Sequence, residues 1–486
     1  MYGPNSQMRP DSKQEARAET TRWTLYPPPN RSSAGASIDV VRLLRIAVVL
    51  AALAVPAAGS ARAGPAPRLA DPHPCPELSG FTCSTLAVPL DHTGHRQGSL
   101  RLQVAAADKT AAPRGVLLVI TGGPGQPGVP FPARIAQATA GALSDYRLVM
   151  YDQRGTGAGA LDCPALQEIM GGSDLYPPSA AAVRMCARTI GSTRSFYGTD
   201  DVVADMELLR QALDADKWTL DGISYGTFVG ERYAIAHPKR VNRLVLDSVV
   251  PHNAGFELLP MQLRAVGRVL RLGCGAGCVS DLAAVVRKRH NGPRLLDALA
   301  LMSIVDPTFH SPRDLADALR RARRGDLADL NDLLQTVRRW DATPAEELSQ
   351  GLHASALCAD WRFPWGDSHS PVSGRSAALA RAGARLRPRD VAPFDRATAT
   401  GNGIEQECLP WSPTAPTPTA ARRLPRVPTL LLNGDRDLST PLEWAQREAA
   451  LAPAGRLVVV HGAGHSVQRR AASDAGRRAV VDFLTR

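Results

Sequence analysis

The chain has little aromatic surface, no apparent internal repeat, and no apolar run long enough to cross a bilayer. Phe, Trp and Tyr together make up 5% of its 486 residues. Each shortage removes a class of protein. A membrane-spanning helix needs ~20 consecutive apolar residues, and the apolar stretch from Ile46 to Ala58 falls short of that. Lysine is scarce, so the net charge of +11 is carried almost wholly by arginine. Nucleic-acid binding asks for basic stripes interleaved with aromatics. The one dense basic cluster, Arg320-Arg321-Ala322-Arg323-Arg324, has Asp314, Asp317 and Asp326 beside it and reads as a solvated helix face. No nucleic-acid partner is therefore expected. Cys274 and Cys278 lack a second cysteine or histidine pair at zinc spacing, and His461 and His465 lack the glutamate that a metalloprotease motif places after its first histidine.

What is present describes a folded enzyme-sized chain. A hydrophobic share of 44% with 21% charged residues is that of a globular protein, and the length calls for one domain with a large insertion, or for two. Near the N-terminus Arg42 and Arg45 precede the Ile46–Ala58 stretch, and Ala61-Arg62-Ala63 fits a small-x-small cleavage site. Export with cleavage after Ala63 is the expectation. Residues before Arg42, with Pro27-Pro28-Pro29, make an unusually long leader, and a start at Val40 or Val41 would explain it. All eight cysteines lie beyond Ala63, as an exported protein with disulfides requires. Pairing by shortest loops gives Cys75 with Cys83, Cys163 with Cys186, Cys274 with Cys278 and Cys358 with Cys408.

Strand signals alternate with helical ones up to Val250. Ser84–Leu90 and Ser99–Ala107 alternate as edge strands do; Gly115–Ile120, Arg147–Tyr151, Trp218–Leu220 and Arg243–Leu246 are continuous apolar runs suited to buried parallel strands. Helices are expected over Asp200–Ala215 and Ser224–His237. The pattern predicts an α/β fold, a mostly parallel doubly wound sheet. From Pro251 to Leu424 it reads as helices and proline turns, and strands resume at Thr429–Leu432 and Arg456–Val460. The division is residues 1–63 as leader, 64–250 and 425–486 as the two parts of an α/β core, and 251–424 as an inserted helical cap.

Three segments that follow these strands carry chemistry. Gly222-Ile223-Ser224-Tyr225-Gly226 reads as a nucleophile elbow: a strained serine exposed at a strand-to-helix turn, flanked by glycines because a Cβ would collide with neighbouring elements. A nucleophilic serine needs a base and an orienting acid, in the chain order serine, acid, histidine. Asp437, three residues past Gly434 and just before Thr440-Pro441, is the candidate acid, while Asp435 is expected to bond local backbone N–H groups. His465, between the freedom of Gly464 and the next turn, is the candidate base; His461 ends its strand and is expected to face the core. Thr121-Gly122-Gly123-Pro124-Gly125 offers unshielded N–H donors for an oxyanion hole, formed by Gly123 and by Tyr225.

These motifs, with Tyr151-Asp152-Gln153-Arg154-Gly155-Thr156-Gly157 and Gly462-Ala463-Gly464-His465-Ser466, resemble the exported α/β-hydrolase-fold serine peptidases: the prolyl aminopeptidases and the tripeptidyl aminopeptidases of actinobacteria. The resemblance covers about residues 75 to 486, and it departs at Thr121, where prolyl aminopeptidases usually carry histidine. It implies acyl transfer to Ser224 without a metal or organic cofactor, on a peptide or small ester substrate, and a structural role for Asp152 and Arg154. An aminopeptidase must also hold a free α-ammonium, for which Asp360, Glu405 and Glu407 are the candidates if Cys358 and Cys408 are bridged. A carboxylesterase or lipid hydrolase with the same triad, and a non-catalytic binding protein, are the rival readings. The sequence leaves oligomeric state open.

Overall fold

The computed structural model describes residues 66–305, 312–415 and 421–486. The expected signal peptide and cleavage point lie outside them. Nine strands form one sheet: β1 (Leu69–Pro74), β2 (Phe81–Pro89), β3 (Ser99–Ala107), β4 (Val116–Ile120), β5 (Arg147–Tyr151), β6 (Trp218–Ile223), β7 (Val241–Asp247), β8 (Thr429–Gly434) and β9 (Gly455–Val460). Their spatial order is β1-β2-β3-β5-β4-β6-β7-β8-β9. The first three are antiparallel to their neighbours, and β5, β4, β6, β7, β8 and β9 run parallel. This is the α/β-hydrolase fold.

Both faces of the parallel strands are covered, which is why their sequences are apolar at consecutive positions. Leu118, Leu220, Leu244 and Leu246 turn to one hydrophobic cluster, while Leu117, Val119, Val245 and Leu430 turn to the other. Four strands depart from the reading of the sequence: β2 and β3, expected at an edge, are each paired on both sides because β1 takes the outer place, and β1 and β9 differ as follows. β1 has no apolar signal, since Leu-Ala-Asp-Pro-His-Pro is nearly all exposed, and its ladder with β2 holds it. β9 was expected to be buried but is an edge strand, and only Val460 is fully covered.

Among the described residues no strand of the sheet falls between Asp247 and Thr429. That span holds helices instead, among them Leu258–Arg289, Gly292–Val305 and Gln350–Asp360, with a cluster of their own around Leu263, Val266, Leu270, Leu296 and Leu319. The longest of them breaks at Gly275, whose φ of 83° no helical residue adopts, beside the Cys274–Cys278 bridge. All four disulfides join nearest neighbours in sequence, as the short-loop pairing expects. The arginine cluster is paired on the surface, Arg320 with Asp317, Arg321 with Asp329 and Arg323 with Asp281.

The strand register sets the site. Gly222 pairs with Ile120, Ile223 with Asp247, Asp247 with Leu432, and Gly434 with Val460. The carboxyl ends of β4, β6, β7, β8 and β9 therefore finish along one edge, where open α/β sheets build their sites.

Candidate active site

Ser224 caps the helix Tyr225–Ala236 with φ 57° and ψ −126°, a conformation a side chain adopts only under constraint. The constraint is visible. Ser224 N–H donates to the Asp247 carbonyl (2.9 Å), and the Ser224 carbonyl accepts from both Thr227 N–H (2.8 Å) and Thr227 Oγ1 (2.7 Å). Neither flanking glycine can be replaced cheaply: a Cβ on Gly222 would lie 2.4 Å from the Gly226 carbonyl oxygen, and one on Gly226 would lie 2.2 Å from that of Ile120. The serine is left half-buried and facing a cavity.

The glycine loop after β4 passes directly against this serine. A Cβ on Gly122 would sit 2.8 Å from Ser224 Cβ and 3.3 Å from its Oγ. Gly123 takes φ 105°, open only to glycine, and lines the cavity with Ser224 and Tyr225. Thr121 Oγ1 closes the loop onto the Gln126 carbonyl (2.8 Å).

Asp437 and His465 meet. His465 Nδ1 lies 2.9 Å from Asp437 Oδ2, with Asp437 fully buried and His465 nearly so. The other carboxylate oxygen accepts from Ser439 N–H and Thr440 N–H, each at 2.9 Å, and Thr440 Oγ1 donates to Oδ2 at 2.8 Å. The acid is thus fixed on every side and its charge is answered by four donors. Gly434 lets the two loops touch, since a Cβ there would be 2.2 Å from the carbonyl oxygens of Ala463 and Gly464. Asp435 stands apart: it accepts from Gly462 N–H and pairs with His461, which is 75% exposed and does not face the core as expected. The sheet edge, where β9 has no outer neighbour, turns it to solvent.

Two residues that sequence reasoning missed hold these parts together. Asp247 gives its backbone carbonyl to Ser224 N–H, while its carboxylate accepts from Val467 N–H and Gln468 N–H at 3.0 Å each, just past His465. Burial raises its pKa, and those N–H bonds and the His465 charge oppose the rise. Ser303, on the helix Gly292–Val305, accepts from His465 N–H through its carbonyl (3.0 Å) and from Leu438 N–H through its hydroxyl (3.0 Å). A terminal strand aspartate is a weak signal, and Ser303 has none at all.

Asp152 and Arg154 are structural. Asp152 accepts from Gly128 and Val129 N–H, and the fully buried Arg154 makes a bidentate pair with Asp205, both bonds at 2.6 Å.

The cavity at Ser224 is lined by Val250, Leu357, Trp361 and Trp444 on apolar sides and by Ser173, Asp174 and Asp297 on a polar one. The three carboxylates named from sequence are elsewhere. Asp360 is buried under the site, accepting from Thr199 Oγ1 (2.6 Å) and Tyr225 Oη (3.0 Å). Glu407 pairs with His353 Nδ1 (2.8 Å), and Glu405 is wholly buried, which pushes its pKa up to about 8. The Cys358–Cys408 bridge does bring their segments together, but none of the three lines the cavity. Asp297 does, and burial raises it to about 6 against the Ser173 bond and the Arg338 charge, with the Asp174 charge raising it further. Asp174 Oδ1 lies 3.0 Å from His353 Nε2. Burial alone would discharge His353, yet Glu407 and Asp174 together hold it at about 10, so it is a cation. Among the described residues, groups with the composition of metal ligands lie outside the cavity.

Residues 115–271 match the family described as alpha/beta hydrolase fold, and residues 393–486 match the one described as TAP-like protein. Serine protease Hip1 of Mycobacterium tuberculosis (strain ATCC 25618 / H37Rv) is 26% identical over 503 residues, covering 88% of this chain and 93% of Hip1. The tripeptidyl aminopeptidase of Streptomyces lividans is 31% identical over 188 residues, 35% of each chain. A probable proline iminopeptidase of Streptomyces coelicolor is 33% identical over 143 residues, 29% of this chain and 35% of its own.

Proposed function

We propose that this α/β-hydrolase-fold serine peptidase is an exported aminopeptidase that releases short N-terminal peptides or residues through an acyl-enzyme on Ser224. The observation that carries the reading is the buried Asp437–His465 pair, 2.9 Å apart, on loops tied through Asp247 to the backbone of a strained elbow serine. His465 Nδ1 donates to Asp437, which leaves Nε2 free to take the Ser224 proton as Oγ attacks the scissile carbonyl. Gly123 and Tyr225 N–H groups hold the oxyanion. His465 then returns the proton to the leaving amine, and water, activated by the same imidazole, releases the acyl group.

Aminopeptidase action is favoured over ester hydrolysis by the polar wall of the cavity. Asp174 and Asp297 line that wall and Glu407 stands behind them, three carboxylates against the two cations His353 and Arg338, while Asp341, raised to about 8 by burial and the Asp297 charge, keeps its proton at neutral pH. A substrate α-ammonium supplies the missing charge. Asp174 and Asp297 take the role first given to Asp360, Glu405 and Glu407, because they line the space that Ser224 faces. The apolar side of the cavity suits an ester as well. A panel of chromogenic substrates of one to three residues with free N-termini, their N-acetylated forms and a short-chain ester decides between them. Turnover of the free-amine amides supports the proposal; turnover of the ester alone refutes it.

Export follows the same reading. Signal cleavage after Ala63 predicts a mature chain beginning at Gly64, which N-terminal sequencing of secreted protein checks. We keep residues 251–424 as the cap that shapes specificity and 64–250 with 425–486 as the hydrolase core.

A further inference from the structure

Seven residues beyond Ser224 on the elbow helix, Glu231 is completely buried; no side chain among the described residues bonds either carboxylate oxygen, and the donor it draws on is the His252 backbone N–H. It faces His252, just after β7, and Glu448, on the helix Leu442–Ala449 that follows the Asp437 loop. All three are fully buried, and one ligand atom from each lies within 4.8 Å of the others. His252 Nε2 is 2.8 Å from the Ala421 carbonyl, which only accepts, so Nε2 carries a proton. His252 Nδ1 is 2.6 Å from Glu448 Oε1, and Glu448 Oε2 has no partner.

Protons alone satisfy this arrangement poorly. An imidazolium would answer Glu448 Oε1, and one shared proton would bridge the two glutamates, but the second oxygen of Glu231 would then rest on the His252 backbone N–H alone in a dry interior, where weakly satisfied groups are costly. One divalent cation answers an atom of each of the three residues at once: two carboxylates balance its charge, and a neutral imidazole offers Nδ1 while its other N–H rests on a carbonyl, the usual outer support of a metal-bound histidine. Two carboxylates with one imidazole suit Zn²⁺, and next to it Mn²⁺.

We propose that Glu231, His252 and Glu448 bind one structural Zn²⁺ ion, apart from the catalytic cavity, that clamps the nucleophile helix to the helix following the acid loop. The ion takes no part in acyl transfer, so the Ser224→Ala variant keeps it.

The test is elemental analysis of the purified mature protein, produced with zinc and manganese in the medium, together with thermal melting before and after chelation under mild denaturant. About one equivalent of Zn²⁺ per chain is expected, falling below about a tenth in Glu231→Gln and Glu448→Gln. Stripped wild type is expected to melt several degrees lower and to recover on adding Zn²⁺. Wild type holding less than about a tenth of an equivalent of Zn²⁺, with melting indifferent to it, overturns the proposal. So does a full complement of metal in a folded Glu231→Gln. If the glutamine variants fail to fold, the wild-type metal content and melting decide alone.

Discussion

Replacing Asp437 by Asn isolates the electrostatic part of the site, because the shapes match and most of the local bonds survive. The amide oxygen still accepts from Ser439 and Thr440 N–H, now 2.9 Å from Oδ1, and the amide NH₂ donates to Thr440 Oγ1 in place of the present bond at Oδ2. The cost to folding is that of weakening buried charge-assisted bonds, about 1–3 kcal/mol. The effect on His465 is larger. An NH₂ at the Oδ2 position cannot accept from Nδ1–H, so the imidazole changes tautomer, carries its proton on Nε2 and has no lone pair for Ser224. A loss of about 10³–10⁴ in kcat is expected, equivalent to about 4–5.5 kcal/mol of transition-state stabilisation. The assay is kcat and KM on an aminoacyl or peptidyl chromogenic amide at neutral pH, with the melting temperature measured alongside. A folded variant within tenfold of wild-type kcat would refute the role given to Asp437.

Other predictions rest on separate features. Gly226→Ala puts a Cβ 2.2 Å from the Ile120 carbonyl oxygen, at backbone that cannot retreat, and should cost more than about 4 kcal/mol or prevent folding, read by melting or soluble yield. Asp297→Asn should raise KM for free-amine substrates at least about tenfold with N-acetylated ones unaffected; equal effects on both would remove the ammonium role. Glu405 is held at about 8 in the fold against the ordinary 4.5 of an exposed glutamate, so the native state keeps its proton where the unfolded chain has lost it. Its contribution to stability therefore falls as pH rises from about 4.5 to 8 and is level beyond. Glu405→Gln should flatten the decline in melting temperature across that window, and an unchanged slope would contradict it.

The parts of the candidate site that were legible in the sequence are those where geometry leaves one residue type. Gly222, Gly226 and Gly434 must be glycine because another chain segment occupies the space of a Cβ. Asp437 and His465 were legible because each follows an apolar strand that names its own position. Parts that depend on which distant segments pack together were not legible. Asp174 and Asp297 come from a loop after β5 and a helix after β7, and nothing local to either marks a cavity wall; Asp360, Glu405 and Glu407 were chosen from their neighbouring disulfide, which does join the segments but turns them inward. Ser303 acts through its carbonyl as much as its hydroxyl, which no side-chain pattern records. β1 escaped because its only support is a backbone ladder. Glu231 and Glu448 meet across more than two hundred residues of sequence, each looking like an ordinary helix glutamate.

The central claim is that Ser224 is the nucleophile, and intact-mass analysis after treatment with a fluorophosphonate measures it directly. The account predicts a single adduct on the wild-type protein, mapped by peptide sequencing to Ser224, with parallel loss of amidase activity and no adduct on Ser224→Ala. A wild-type protein that hydrolyses its substrate yet takes no label, or an adduct that persists in folded Ser224→Ala, would contradict it.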